Sequence, residues 1–376
     1  MTSAGFYLTL MIGPVVPEPV SQQVLDALTS VSVTTNSESG SGFQLDFTLS
    51  NNSPLQTIFL LAGGAAVPLV RVIIIVTVGG NSEVLMDGVM TNHEIRPGAD
   101  VSHSVLTIIG EDLSRVMDYI DFSGFPFPGM PPEARVALII AKYSFLGLIP
   151  LVIPSILIDI PIPTDRVPVQ KGKDLAYVRS LADEVGYVFY VDPGPDVGTS
   201  TAYWGPEIKT GTPQKALSIN MDAASNIESV SCSFNSQGTV IPIVYIQNEE
   251  THVPIPIPIP PITPLNPPLG VIPPLSLNFE PIEGTAKYSP IRAAAIGLAK
   301  AARTADAVTA IGRLDVVRYG GILKARRLVG LRGVGEAFDG LYYVKSVKSQ
   351  IKRGEFKQDF TLTRNGLIST VSTVPA

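Results

Sequence analysis

Alternating apolar and polar residues mark the first part of the chain. Between residues 43 and 49 an apolar residue occupies every second position, as in a strand with one covered face. Residues 70–78 are β-branched almost throughout, which predicts a strand covered on both faces. Residues 84–95 and 101–109 flank a turn sequence and predict a hairpin. We therefore expect residues 1–120 to form a small β-barrel or sandwich, with short helices at 24–28, 55–61 and 111–119.

A mixed pattern follows in residues 121–213. Pro132 is placed to open a helix that runs to about residue 142. Residues 173–185 carry their apolar side chains on one helical stripe, and Gly186 follows at the position of a C-terminal cap. Two strand segments are predicted next, at 187–192 and 202–204. This region is expected to be a small α+β domain inserted between two β units.

The strand pattern returns in residues 214–370, which we interpret as a second β-barrel domain, followed by a tail at 371–376. A helix is predicted at 291–308. Strands are predicted at 227–234, 240–247, 314–317, 324–331, 341–351 and 356–363. The order of elements resembles that of the first β unit, although no sequence repeat is visible.

A Pro-rich insertion at 253–281 interrupts the second β unit. Between residues 253 and 261 isoleucine and proline alternate. Every second main-chain N–H is then missing, which excludes a helix or a central strand. We expect this segment to be polyproline-like and extended, and to lie on a surface or in a groove between subunits.

Composition narrows the possible functions. A chain of 376 residues exceeds what one core supports, so two to four domains are expected. Hydrophobic residues make up 45% and charged residues 16%, which favours burial of apolar surface between subunits. The net charge of −6 gives no basic footprint for nucleic acid. The single cysteine, Cys232, excludes an intramolecular disulfide and a multi-cysteine zinc site, and we interpret it as a small strand residue.

No segment is expected to insert into a membrane. The two most apolar stretches, 58–78 and 136–160, are interrupted by glycine, proline and charged residues, whereas a spanning helix needs about 20 uninterrupted apolar residues. The N-terminus has no basic start followed by an apolar run. We expect a soluble protein made in the cytoplasm.

Few residues suggest chemistry, and no catalytic, cofactor-binding or metal-binding residue is predicted. Phosphate-loop, dinucleotide and metalloprotease motifs are missing from the sequence. His93 and His103 would face each other in a hairpin symmetric about Gly98, as a metal or pH-sensing pair or as an ordinary surface pair. Four acidic residues on helical segments are interpreted as solvated: Asp112, Asp118, Asp183 and Glu184. Trp204 and its aromatic neighbours form either a sugar- or peptide-binding platform or the core of a small domain.

A succession of short motifs resembles a known family. The motifs are Lys171-Gly172-Lys173-Asp174-Leu175-Ala176-Tyr177, Gly186-Tyr187-Val188-Phe189-Tyr190-Val191-Asp192, Tyr203-Trp204-Gly205-Pro206, Asn226-Ile227-Glu228-Ser229 and Phe356 to Gly366 with Arg364-Asn365-Gly366 at its end. In this order they resemble the phage late-control D, or tail baseplate hub, family, which occurs in contractile phage tails, type VI secretion spikes and contractile injection systems. The resemblance covers nearly the whole chain.

The resemblance implies a structural protein and not an enzyme. Hubs of this family are homotrimers with two tube-like β-barrel domains per subunit, so that a pseudo-six-fold ring joins the inner tube to the spike. The expected partners are an inner tube protein, baseplate wedge components and a spike protein. Because only ten residues follow Gly366, the spike is expected to be a separate chain. The protein would assemble in the cytoplasm and become part of a phage tail or injection particle. The alternative is a carbohydrate-binding or cell-wall-degrading tail-tip protein.

Overall fold

The computed structural model describes most of the chain. The described residues are 2–3, 5–38, 40–49, 69–98, 104–155, 167–222, 225–247, 253–259, 267–275, 278–285 and 290–371. The helix predicted at 55–61 lies outside these ranges, as do His103, the end of the tail and parts of the Pro-rich segment.

The first β unit contains eight described strands. Its elements are β1 (Thr2–Ser3), β2 (Phe6–Gly13), β3 (Glu18–Pro19), α1 (Gln22–Ala27), β4 (Leu28–Asn36), β5 (Gly42–Leu49), β6 (Arg71–Val78), β7 (Asn81–Arg96) and β8 (Ser104–Asp112), followed by a 3-10 helix (Leu113–Asp118). The predicted alternation in β5 and the double-sided burial of β6 are confirmed. The helix predicted at 111–119 is shorter, because β8 continues to Asp112.

The middle region folds as a three-stranded sheet with helices. Its elements are α2 (Pro132–Ala141), a 3-10 turn (Ser144–Leu146), β9 (Leu148–Val152), α3 (Asp174–Val185), β10 (Val188–Pro193) and β11 (Ser200–Gly205). The predicted hairpin of β10 and β11 is confirmed. Sequence analysis missed β9, which runs parallel to β11, because Pro150 interrupts its pattern. Gly186 caps α3 in the left-handed conformation, as predicted.

The remaining elements belong to the second β unit. They are β12 (Gln214–Ser218), β13 (Ile227–Phe234), β14 (Ile241–Gln247), β15 (Pro254–Pro258), β16 (Gly270–Ile272), β17 (Phe279–Pro281), α4 (Pro290–Arg303), β18 (Val308–Asp315), α5 (Val316–Tyr319), β19 (Leu328–Arg332), β20 (Gly340–Lys352), β21 (Glu355–Arg364) and β22 (Leu367–Ser369). Of the strand predicted at 314–317, residues 314 and 315 end β18. Residues 316 and 317 are helical instead, because Asp315 caps α5 by accepting hydrogen bonds from the main-chain N–H groups of Val317 and Arg318.

One 14-stranded sheet runs through both β units. Its main path is β1-β2-β6-β7-β8-β5-β4-β20-β21-β18-β13, with β3, β12 and β19 attached beside it. The two units meet where β4 pairs antiparallel with β20, from Ser30 opposite Lys352 to Asn36 opposite Ser346. The sequence did not anticipate this connection, since separate strand patterns do not reveal which edges pair.

The sheet curls until its two halves share one core. The rings of Phe6 in β2 and Phe356 in β21 lie 5.6 Å apart, although six strands separate β2 from β21 along the sheet. In a flat sheet with a spacing of about 4.8 Å, they would be about 34 Å apart. Buried side chains of both units, such as Leu45 and Phe360, belong to one hydrophobic cluster. A mainly β fold with an α+β region is therefore confirmed.

The described parts of the Pro-rich segment pair with their own chain. Strand β15 lies antiparallel to β14, and β17 lies parallel to the other edge of β14. Strand β16 pairs with β22 near the end of the chain. Ile259 packs with Val244 and with Ala293 and Ala301 of α4. The prediction of an extended surface segment is confirmed, since all five residues of β15 are exposed. It is an edge strand rather than a solvated polyproline helix.

Candidate functional site

Of the two histidines expected to face each other in the β7–β8 hairpin, His93 lies within the described residues and His103 lies outside them. His93 lies opposite Ile108, and Arg96 lies opposite Val105. The register of the described strands therefore does not fit a hairpin symmetric about Gly98. The sequence error came from placing the turn at its most obvious glycine.

Three of the acidic residues expected to be solvated form hydrogen bonds or ion pairs within the protein. Asp112 was expected to be solvated, but it is buried and accepts hydrogen bonds from the main-chain N–H groups of Ser41 and Ser114, at 2.6 and 2.9 Å. Asp118 forms an ion pair with Arg115. On the surface, Asp183 pairs with Arg303. Asp112 thus connects the residue before β5 to the start of the 3-10 helix, whereas Asp183 is exposed, as predicted.

The aromatic group around Trp204 is the core of the α+β region. Trp204 is completely buried, and its indole N–H donates a 3.3 Å hydrogen bond to the main-chain oxygen of Val178. Tyr187 meets the indole edge-to-face at 4.9 Å. Tyr190 and Tyr203 stack at 4.8 Å, and burial raises the pKa of Tyr190 to about 12. A ligand has no access to the Trp204 ring, so the interpretation as a core is confirmed.

The described residues contain no group of three or more histidine, cysteine, aspartate or glutamate side chains placed to hold a metal. None of the helices in the described ranges could span a membrane.

Arg326 lies where all three regions meet. It is buried, its main-chain φ is +65°, and its N–H donates to the oxygen of Val344 in β20. Its guanidinium donates to the main-chain oxygen of Asn36 at 2.7 Å and to the carboxylate of Asp192 at 2.6 Å. It also covers the ring of Tyr190 at 3.9 Å. One side chain thus fixes the end of β4 and the end of β10 against the second β unit.

Arg71 connects the first β unit to the α+β region. Its guanidinium forms two hydrogen bonds with the buried carboxylate of Asp87, at 2.7 and 2.6 Å. It also donates to the main-chain oxygen of Gly198, at 2.9 Å, and Ser200 donates to Asp87. Removing one partner of such a pair typically costs about 3–5 kcal/mol, because a buried charge is left uncompensated.

Lys209 makes the equivalent connection to the second β unit. Its amine is buried and lies 2.9 Å from the carboxylate of Asp306 and 3.7 Å from that of Glu207. Burial opposes its charge, but the two carboxylates outweigh this and raise the pKa of Lys209. Burial, together with Asp306, raises the pKa of Glu207. We call Arg71, Lys209 and Arg326 the three anchoring cations.

The motif that begins at Lys171 forms a buried polar network around Asp174, the first residue of α3. Asp174 is fully buried and accepts hydrogen bonds from Lys142 at 3.1 Å, Tyr143 at 2.9 Å and Gln170 at 2.7 Å. The Lys142 amine also lies 4.1 Å from the centre of the Phe122 ring. The motif therefore orients α3 against α2 and the preceding connector.

Arg364, in the last motif, closes the end of the second β unit. Its side chain is fully buried and donates to the main-chain oxygens of Gly366 at 2.7 Å, Ala337 at 2.9 Å and Asp339 at 3.0 Å. The guanidinium lies 4.6 Å from the centre of the Tyr342 ring. Burial lowers the pKa of Arg364. One cation thus serves three main-chain carbonyl groups, of which that of Ala337 also accepts a hydrogen bond from the N–H of Ile368.

Asn365 attaches the Pro-rich segment to the end of β21. Its side-chain oxygen accepts hydrogen bonds from the main-chain N–H groups of Leu269 and Gly270, at 2.8 and 3.0 Å. A Cβ atom on Gly366 would lie 2.5 Å from the oxygen of Ile272, so only glycine permits this approach. Asn365 and Gly366 of the last motif therefore hold the Pro-rich segment against the end of β21, a role that the residues alone did not reveal.

Strand β13 leaves part of one long sheet edge open. Asn235 donates to the oxygen of Ala307 at 2.8 Å, which continues the register of Phe234 opposite Val308. Because main-chain groups alternate sides along a strand, those of Val230, Cys232 and Phe234 face away from β18. Within the described ranges, no strand pairs with this part of the edge. Cys232 is a partly buried strand residue, as predicted, and burial raises the pKa of its thiol.

Exposed apolar side chains are numerous on the Pro-rich segment. They are Val253, Ile255, Ile257, Val271, Ile272, Leu275 and Phe279. Leu275 is 85% exposed, the largest value among the large apolar residues described. This agrees with the apolar surplus seen in the composition.

Sequence analysis missed the three anchoring cations. The one available signal was the position of Arg71, a charge at the start of an otherwise apolar strand. Such a charge requires a buried partner. Arg326 and Lys209 gave no comparable signal, because both stand among ordinary polar residues.

Comparison with known proteins shows a shared fold. The chain matches no known sequence family and no curated protein. A tail protein from Neisseria meningitidis MC58 superimposes with a TM-score of 0.59 and 11% identity, over 97% of this chain and 98% of the other. The 43 kDa tail protein of prophage MuSo2 from Shewanella oneidensis gives 0.59 and 13%, over 95% and 98%. A chain of the lidded Francisella PdpA-VgrG complex gives 0.63 and 9%, over all of this chain and 55% of the other.

These likenesses establish the architecture. The fold is that of phage tail proteins and spans almost their full length. The resemblance to tail baseplate proteins stated from the motifs is confirmed at the level of the fold.

We expect Asn365→Ala to release the Pro-rich segment without unfolding the protein. Two hydrogen bonds, worth about 0.5–1.5 kcal/mol each, would be lost. Hydrogen exchange at the N–H groups of Leu269 and Gly270 should become faster, while exchange in β5 should stay unchanged. Asn365→Asp keeps an acceptor oxygen at the same place and should restore the slow exchange. Equal exchange rates in the alanine variant and the original protein would contradict this role.

Proposed function

We propose that the protein is the baseplate hub subunit of a contractile phage tail or injection system. Three copies would form a pseudo-six-fold ring that connects the hexameric inner tube to a separate trimeric spike and contacts the wedge components. Assembly would take place in the cytoplasm before incorporation into the particle. The fold shared with phage tail proteins supports a place in such a particle.

The observation that carries the proposal is the pairing of β4 with β20. It places two β units of one chain side by side in a continuous sheet. A ring of three such chains would present six β units, the number needed to meet a six-fold tube. Each chain then needs one further junction, to its neighbour, and the open part of β13 offers main-chain donors and acceptors for it.

The three anchoring cations support the same proposal. They fix the α+β region to both β units through buried charge-assisted hydrogen bonds, so that a subunit enters the ring with its shape already set. A ring closes only when each subunit repeats the same angle. Rigid connections inside the subunit supply that constancy.

The alternative of a sugar-binding or cell-wall-degrading protein has less support. Trp204 is buried, and Asp112 and Asp174 are engaged in main-chain or side-chain hydrogen bonds. We propose that the protein catalyses no reaction.

The first prediction from this proposal concerns stoichiometry. A cryo-EM reconstruction of assembled particles should show three copies of the chain in one ring, each contributing both β units. The two units, about residues 1–120 and 214–370, should superimpose and alternate around the channel. Six copies in the ring, or one β unit per copy against the tube, would contradict the proposal.

The second prediction concerns the open edge. Cys232→Pro removes a main-chain N–H that faces away from β18, so the ladder inside the chain stays intact. The variant should fold, with an unchanged circular dichroism spectrum, but should be lost from purified particles. Cys232→Val keeps the N–H and should assemble normally. Normal incorporation of the proline variant would show that β13 does not form the junction between copies.

The third prediction concerns catalysis. Purified protein should release no products from peptidoglycan or from peptide substrates. The hydroxyl of Ser200 does contact the carboxylate of Asp87, but both residues are buried and Asp87 is held by Arg71. Turnover above background that disappears on substitution of a single carboxylate would overturn the non-catalytic role.

A further inference from the structure

Proline and isoleucine alternate along strand β15, and only isoleucine can donate a main-chain hydrogen bond from a strand edge. Prolines occupy positions 254, 256 and 258, and isoleucines occupy positions 255 and 257. The strand pairs with β14 in regular antiparallel register, from Pro254 opposite Gln247 to Pro258 opposite Ile243. A proline can join such a ladder only where its nitrogen points away from the partner strand, because it has no N–H to donate.

One hydrogen bond fixes the direction of every main-chain group in β15. Ile259 donates its N–H to the oxygen of Pro242 in β14, at 2.9 Å, and this contact continues the ladder by one pair. Successive residues of a strand point their N–H and C=O groups to opposite edges. Ile255 and Ile257 therefore direct their N–H groups toward β14, like Ile259. The prolines at 254, 256 and 258 face the outer edge.

The outer edge of β15 has acceptors and no donors. In the sheet order β15-β14-β17, β15 is at the margin, and within the described residues no strand covers it. The carbonyl groups of its three prolines point outward, with no N–H between them. The open part of β13 differs, because Val230, Cys232 and Phe234 offer both donors and acceptors there. These two edges therefore differ in hydrogen-bonding capacity, because β13 offers both donors and acceptors and β15 offers acceptors alone.

The exposed apolar side chains of β15 would favour pairing with another chain if the outer edge of this strand had free main-chain donors. Ile255 is 46% exposed and Ile257 is 37% exposed, and the preceding Val253 is 56% exposed. An exposed apolar edge strand with free main-chain donors is a template for pairing with another chain. Within Val253–Ile259 no charged residue stands on this strand to oppose such pairing.

We propose that the alternating prolines close the edge of β15 to strand addition by a second copy of this chain. The segment remains extended, apolar and exposed, but it offers no N–H through which another strand could pair. Strand-mediated association of the protein is thereby excluded from this edge, whichever surface the particle uses for assembly.

The test restores the missing donors in the full-length chain. The variant P254V/P256V/P258V places three N–H groups on the outer edge and keeps strand-forming side chains. Sedimentation velocity over a range of protein concentrations should show self-association strengthened by about tenfold or more relative to the original protein, since each new hydrogen bond adds to the affinity. Unchanged sedimentation at every concentration would overturn the proposal.

Two matched variants separate edge pairing from misfolding. Pro268→Val exchanges an exposed proline of the same segment outside any strand and should not alter sedimentation. P254V/P256K/P258V restores the same three N–H groups but adds a charge at the centre of the edge, which should suppress pairing. If the lysine variant associates as strongly as the valine variant, the association does not proceed through the edge and the proposal fails.

Discussion

The pairing of β4 with β20 is the constraint on which the rest of the molecule depends. Residues 30–36 and 346–352, from nearly opposite ends of the described chain, form seven consecutive antiparallel pairs. This contact converts two β units into one sheet, and the curl of that sheet brings Phe6 onto Phe356. Because the contact closes a very long loop, its entropic cost must be offset by the core that it completes. Strand β20 also pairs with β19 and β21, so it is the branch point of the whole architecture.

Buried charges set the angles between the parts that this sheet assembles. Each of the three anchoring cations joins two regions that are distant in sequence, and each is hydrogen-bonded to groups of fixed geometry. Apolar residues of similar size could match their stability, because burying an ion pair carries a large desolvation cost. The directionality of the guanidinium and ammonium contacts instead favours one arrangement of the regions over others. For a protein proposed to close a ring, a defined arrangement matters more than added stability.

The Pro-rich segment and the motif at the end of β21 form a second, smaller system. Asn365 and Gly366 hold the strand β16, while β15 and β17 cover the two edges of β14, against which α4 packs. Because proline has no main-chain N–H, the prolines of β15 allow one side of the strand to pair with β14 and leave the other side without donors. An apolar surface can then be displayed without becoming a sheet edge open to any strand. The exposed β13 edge, which lacks proline, has the opposite property.

Local patterns in the sequence determined the elements of this protein, and tertiary structure decided how they combine. Alternation at 43–49, the stripe of α3 and its cap at Gly186 were correctly predicted, because strand period, helix period and left-handed glycine are properties of neighbouring residues. The core position of Trp204 was also foreseen among the alternatives. Three features could not be predicted: the register that places His93 opposite Ile108, the burial of Asp112, and the meeting of Arg326 with Asn36 and Asp192. The burial of Asp112 and the position of Arg326 depend on which distant strands become neighbours, and that choice is made by the summed burial of the whole core and not by any single segment. The hairpin register depends on where the turn falls, which the strand patterns leave open.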